Sequence, residues 1–199
     1  MEVLCELANG IQIVRLDTEE EAAALLRVFR DVAMHMGWQP GHALSSVPHD
    51  AVFLAAVDRG RIIGGLQISI SDEQGRLPCN DVWPEIAANP IAAVHTGILA
   101  LLPKYRGAGI FWPLCVESWR YCIAHDISDV YMEATPAMVK FYRRIGWPLE
   151  IAGELRLHWG EPCHLCRLTV KEVAGTLLIR AVRSETYRAL IRQACRLAA

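Results

Sequence analysis

The chain has 199 residues, of which 53% are hydrophobic and 21% charged, and its net charge is −2. That length fits one domain with a full core, and the composition excludes a disordered chain. No long basic run marks a nucleic-acid footprint, and no run of about 18 uncharged apolar residues offers a membrane span.

Residues 11–16, IQIVRL, alternate and are rich in β-branched types, which predicts a short strand. Asp17 or Thr18 can cap the helix that follows, acidic residues fill its first turn, and Leu25, Val28, Phe29 and Val32 recur at helical spacing. QPGHALSSVPHD is a loop of turn formers. Residues 51–57 and 62–70, joined by DRGR, read as a hairpin, and CNDVWPEIAANP as a short helix or irregular turn anchored by Trp83. Residues 91–102, IAAVHTGILALL, form the continuous apolar run expected of a strand buried on both faces. Residues 109–125 read as a helix, with Pro113 close to its start, where a missing N–H costs little. A strand is expected at 129–134 and a helix at 136–146, with proline at its start and glycine at its end. PLEIAGELRLHW and HLCRLTV read as two further strands, and SETYRALIRQACRLA as a terminal helix. The order describes an α/β domain with a mixed sheet over residues 1–175, and residues 176–199 as a helical extension packed on it. Seven scattered cysteines read as free thiols of a reducing compartment. With no leader sequence visible, a cytoplasmic location is expected.

The stretch LPKYRGAGIFWP at 102–113 raises the functional question. Small residues and bare backbone stand between the most apolar strand and a helix N-terminus. First-turn N–H groups lack helical partners and the helix dipole favours negative charge, so this is an anion site. Gly107 and Gly109 admit a ligand close to the backbone, and Lys104 and Arg106 add positive charge. A pyrophosphate is the natural occupant. The plain alternative is an ordinary strand–turn–helix connection. Neither nucleotide-binding glycine pattern is present, since no Gly-Lys-Ser/Thr follows and Gly109 precedes Ile110-Phe111-Trp112.

YRGAGI, with Arg106-x-x-Gly109, resembles the acyl-CoA pyrophosphate loop of the GNAT N-acyltransferase superfamily. Phe111 stands where that pattern usually has a small residue. FYRRIGW at 141–147 resembles the superfamily's Phe-Tyr-x-x-x-Gly-Phe segment. The layout from MGWQP through LPCNDVWPEI to VHTG is similar to the acyl-homoserine-lactone synthases and their N-acyl amino acid synthase relatives, Asp81-Val82-Trp83-Pro84 matching an Asp-Phe-Pro segment. The lactone synthases' catalytic residues do not match: their hairpin Arg falls at Gln67, and their central-strand Glu and Arg fall near His95 and Ile98.

The resemblance implies a mostly antiparallel mixed sheet flanked by helices, with a splayed central strand pair. It implies N-acyl transfer to the amine of a small amino-acid-like molecule, from acyl-CoA or an acyl-carrier protein, without metal, nucleic acid or a membrane span. A homodimer is left open. By resemblance, Leu99, Ala100, Leu101 and Leu102 pair with the pantetheine arm, and Arg106, Gly107, Ala108, Gly109, Ile110 and Phe111 hold the pyrophosphate. Tyr142 is the general acid for the leaving thiolate, or else an aromatic that packs helix on sheet. His95 interrupts an apolar strand, where a buried imidazole needs a partner, so it is either the base or a satisfied core histidine. Glu133, at the end of the next strand, is the alternative base.

Trp38, His35, His49, Asp50 and Trp159 are acceptor-pocket candidates by position. Cys163 and Cys166, with His158 nearby, form a Cys-x-x-Cys, but no second pair exists at zinc-binding spacing. Phe111 and the missing synthase residues also motivate a competing reading, a GNAT-shaped module that binds acyl-CoA without turnover.

Overall fold

The computed structural model describes residues 1–173. The expected terminal helix, the extension 176–199 and Cys195 lie outside the described residues. Among the described residues, nine strands, β1 (Glu2–Glu6), β2 (Gln12–Arg15), β3 (Ala51–Asp58), β4 (Arg61–Ile70), β5 (Ala93–Leu101), β6 (Asp129–Ala134), β7 (Glu150–Ile151), β8 (Arg156–His158) and β9 (Glu161–Thr169), follow the order β1-β2-β3-β4-β5-β6-β9-β7, with β8 paired to β9. The described residues divide into two compact units, 1–68 with 98–118, and 69–97 with 119–173. Strands β4 (Arg61–Ile70) and β5 (Ala93–Leu101) each contribute residues to both.

The first unit begins with β1 (Glu2–Glu6), paired antiparallel to β2 (Gln12–Arg15), which pairs in turn with β3 (Ala51–Asp58). No strand was expected at β1. Its short sequence, Glu-Val-Leu-Cys-Glu, is stabilised by the β2 edge it covers and carries little strand signal alone. Helix α1 (Glu19–Met36) starts at a capping box in which the Thr18 hydroxyl accepts from the Glu21 N–H and the Glu21 carboxylate accepts from the Thr18 N–H. It ends at Gly37, whose left-handed φ of 74° no β-branched residue would adopt readily. Ala22, Leu25, Leu26, Phe29, Val32 and Ala33 form its buried face. After β5, a 3₁₀ turn (Pro103–Tyr105) and a glycine loop lead into α2 (Phe111–Ala124).

In the second unit, β6 (Asp129–Ala134) is flanked by a parallel neighbour, β5, and an antiparallel one, β9 (Glu161–Thr169). The β5–β6 register matches Ala93, Val94 and His95 with Asp129, Val130 and Tyr131. Thr135 caps α3 (Pro136–Arg144), its hydroxyl accepting from the Met138 N–H, with proline in the first turn as the sequence predicts. The expected strand at 148–159 is two short ones, β7 (Glu150–Ile151) and β8 (Arg156–His158), each antiparallel to β9. The intervening Gly153 lies against the Trp83 ring, where a Cβ would come within 2.6 Å. Trp83 is fully buried among Leu77, Cys79, Ala93, Tyr131 and Leu165, and its indole N–H donates to the Glu154 carbonyl at 2.8 Å. The base of the unit is fixed by Asp129, whose carboxylate accepts from Arg167, Asn89 and Ser128.

Candidate active site

The glycine loop after β5 belongs to the first unit. Leu102 donates its N–H to the Ile63 carbonyl, and Tyr105, Arg106 and Ala108 return their N–H groups to Leu102, Pro103 and Tyr105. Gly107 and Gly109 have φ of 85° and 75°, the left-handed values that turn the chain back into α2. The helix ladder opens with Leu114 N–H to Ile110 carbonyl. The N–H groups of Gly107, Gly109 and Ile110 make no hydrogen bond among the described residues. A Cβ at either glycine would meet nothing within 4 Å, so the loop face is open. Tyr105, which sequence reasoning passed over, locks the loop: its hydroxyl donates to Asp58 at 2.7 Å, at the end of β3. The Lys104 ammonium lies 4.8 Å over the Tyr105 ring, and an Arg106 guanidinium nitrogen stands 3.4 Å from the Met36 sulfur. In the strand segment expected to meet the pantetheine arm, Ala100 is buried while Leu99, Leu101 and Leu102 are half-buried.

The proposed base lies in the second unit, and there the two alternatives turn out to be partners. Because His95 is in register with Tyr131 on the parallel neighbour, Glu133, two residues on, shares its face. His95 Nε2 and Glu133 Oε1 are 2.8 Å apart, with side chains only 5% and 6% exposed. Burial alone would raise the Glu133 carboxyl, but the His95 and His158 imidazoles more than offset this, leaving it below its ordinary value. Glu133 is therefore ionised and can only accept, so Nε2 must carry the proton. The lone pair of neutral His95 then sits on Nδ1.

His158, on β8, is the member that sequence reasoning missed. Its Nε2 lies 3.9 Å from the same Glu133 oxygen. Its ring is stacked 5.0 Å from Trp159 and sits 6.0 Å from Trp83. Burial holds the imidazole below its usual range, partly opposed by Glu133. A signal did exist: the β8–β9 turn is Trp159-Gly160, both at positive φ, which places His158 on a two-residue hairpin. Trp159 thus joins the base cluster, whereas Trp38, His35, His49 and Asp50 lie in the first unit, the last three exposed.

Tyr142 is buried in α3 and stacks nearly parallel on Trp147 at 4.9 Å, and Trp147 meets Trp119 edge-on at 6.0 Å. The thiols near Glu133 are poor nucleophiles. Burial first, and Glu133 charge among lesser effects, push Cys79 up to about 12, Cys163 to about 11 and Cys166 to about 12. Among the described residues no three His, Cys, Asp or Glu side chains are grouped to hold a metal ion. None of the described helices is long and apolar enough to cross a membrane.

A mostly antiparallel nine-strand sheet flanked by helices, with a glycine loop leading from β5 into a helix, is a GNAT-like fold. The N-acyl amino acid synthase FeeM family model matches residues 37–169, and the chain belongs to that family. Among solved structures, the CoA-dependent acyl-homoserine lactone synthase BjaI, with SAM and isopentyl-CoA, is 13% identical, with 87% of this chain and 89% of that one covered and a TM-score of 0.67. FeeM, an N-acyl amino acid synthase from uncultured soil microbes, is 16% identical over 81% and 93%, with a TM-score of 0.67. A GNAT-family chain from Desulfovibrio desulfuricans is 16% identical over 80% and 99%, with a TM-score of 0.54. No curated protein matches the chain. Membership of this family supports an N-acyltransferase that moves an acyl group to an amine.

Proposed function

We propose that the protein transfers an acyl group from acyl-CoA, or from an acyl-carrier protein, to the amine of a small amino-acid-like molecule. The observation that carries this reading is the buried His95–Glu133 pair, a base whose proton-bearing nitrogen is assigned by its own partner. In this reaction the amine nitrogen attacks the thioester carbonyl carbon while His95 Nδ1 takes its proton. The C–S bond then breaks, and the thiolate is protonated. Glu133 steadies the imidazolium and keeps its orientation, as the carboxylate of a triad does. Tyr142 supplies the thiolate proton in this scheme, a role that rests on its place in FYRRIGW. The N–H groups of the Gly107–Ile110 loop and the N-terminus of α2 hold the pyrophosphate, with Arg106 and Phe111 at its two ends. Backbone groups of Leu99–Leu102 hold the pantetheine arm and polarise the carbonyl. The isopentyl-CoA of the BjaI structure supports a CoA donor. Exposed Lys104 and Arg106 equally suit the acidic surface of a carrier protein.

The test incubates the protein with acetyl-, octanoyl- and palmitoyl-CoA, each against the pooled amino acids, and reads free thiol and N-acyl product by mass spectrometry. Calorimetry measures donor affinity separately. Thiol release that requires an added amine is the expected result. Donor binding with no amine-dependent thiol release from any pair would overturn the role given to His95.

A further inference from the structure

Thirteen glycines fall within the described residues, and twelve have a plain backbone reason. Gly10, Gly37, Gly41, Gly60, Gly75, Gly107, Gly109, Gly146 and Gly160 adopt φ between 56° and 88°. At Gly64, Gly65 and Gly153 a Cβ would come within 2.2–2.6 Å of backbone or of the Trp83 ring. Gly97 has neither reason. It lies inside β5, where glycine is costly, and its φ is not positive. A Cβ there would meet just two atoms within 4 Å, His95 Cε1 at 3.2 Å and Nδ1 at 3.4 Å. Gly97 is also partly exposed. Two residues apart on one strand, Gly97 and His95 share a face. Nε2 is committed to Glu133, and Nδ1 has no hydrogen-bond partner among the described residues. The missing Cβ therefore opens the one basic nitrogen of a buried imidazole.

We propose that Gly97 is the seat of the acceptor: a primary amine enters the space beside its Cα and reaches Nδ1, and the residue sets how much bulk the amine-bearing carbon can carry. This rests on the reading of His95 as base. A primary amine presents one small nitrogen with a lone pair for the carbonyl and an N–H for Nδ1. A secondary amine carries a second carbon into the volume that a Cβ would fill. Glu133 from β6 engages Nε2 at 2.8 Å, and His158 from β8 stands 3.9 Å from the same carboxylate oxygen, so Glu133 leaves Nδ1 to the amine.

The test is Gly97→Ala, assayed for thiol release with methylamine, with the pooled amino acids and with N-methylated counterparts. An approach displaced by about 1 Å costs on the order of 10²-fold. The expected result is therefore a fall of that order in kcat/KM for the amino acids, carried by a raised KM, and a smaller one for methylamine. N-methyl amines should lose more than primary amines in Gly97→Ala, because their second carbon competes with the new Cβ for the same volume. CoA affinity and the pH profile of kcat should hold, and the melting temperature should fall only slightly, because the new Cβ at 3.2 Å asks the His95 ring to yield by a few tenths of an ångström. Wild-type KM in Gly97→Ala overturns the seat. So does a fall in kcat with a displaced acid limb at unchanged KM, because the glycine would then only make room for the ring. His95→Gln run in parallel separates the two readings. If it keeps wild-type rate and pH profile, the base assignment falls. If it is inactive while Gly97→Ala is normal, the seat alone falls. A wild-type chain inert to every primary amine overturns both.

Discussion

Replacing Glu133 with glutamine tests the base directly, because it removes a charge while keeping the shape. The carboxylate accepts a 2.8 Å hydrogen bond from His95 in surroundings where both side chains are almost fully covered. A hydrogen bond to a charged group contributes about 1.5–3 kcal/mol. The interaction strengthens when His95 becomes imidazolium, so that amount is withdrawn mainly from the transition state. At about 1.4 kcal/mol per decade, kcat/KM should fall roughly 10- to 10²-fold. The loss should be larger if the amide turns its NH2 towards Nε2, because that stabilises the wrong tautomer of His95. Donor affinity should not change, since CoA is assigned to the loop at 106–111. The assay is thiol release over a pH series, with Glu133→Asp as a partial restoration of the charge and calorimetry for the donor. Wild-type kcat/KM and an unmoved acid limb in Glu133→Gln would refute the reasoning. Full activity in His95→Gln combined with loss in Glu133→Gln would instead make the carboxylate itself the base.

Gly109→Asp should weaken CoA binding strongly by calorimetry, because it adds a negative charge to the anion loop at a φ of 75° that aspartate tolerates at modest cost, and unchanged affinity in the folded variant would remove the donor site. Tyr142→Phe should lower kcat by roughly 10²-fold if the phenol protonates the thiolate, while the stack on Trp147 keeps the melting temperature near wild type; full turnover would leave Tyr142 a packing residue. Stability should fall on acidification. Glu133 and His158 both have folded values below their ordinary 4.5 and 6.5, so the unfolded chain binds more protons below pH 6.5, and more again below pH 4.5. The contribution of each group is intact above its ordinary value and is lost as the pH falls through its lower folded one. Melting curves from pH 7 to pH 3.5 should show the decline, with a smaller loss between pH 6.5 and 5 in His158→Gln.

The sequence by itself determined the features that depend on neighbouring residues. The capping of α1 by Thr18 and Glu21, proline at the start of α3, and the glycine loop entering α2 are settled within a turn or two of chain. So is the glycine turn at 107–109, because its hydrogen bonds and positive φ values are local. Strand β6 was legible to the residue, because its apolar content suits a strand with neighbours on both sides. Strand β1 was not, because its stability comes from the edge of β2. Nor was the pairing of His95 with Glu133, 38 positions apart, which a sequence reading treats as two rival bases. That pairing depends on register: a slip of one residue between β5 and β6 would turn Glu133 to the other face of the sheet. His158 enters only because the Trp159-Gly160 turn folds β8 back along β9. The meaning of Gly97 likewise appears only when a Cβ is placed beside Nδ1, since in sequence it is one more glycine in an apolar run. Local chemistry specified the glycine loop, while long-range strand register brought His95 and Glu133 together.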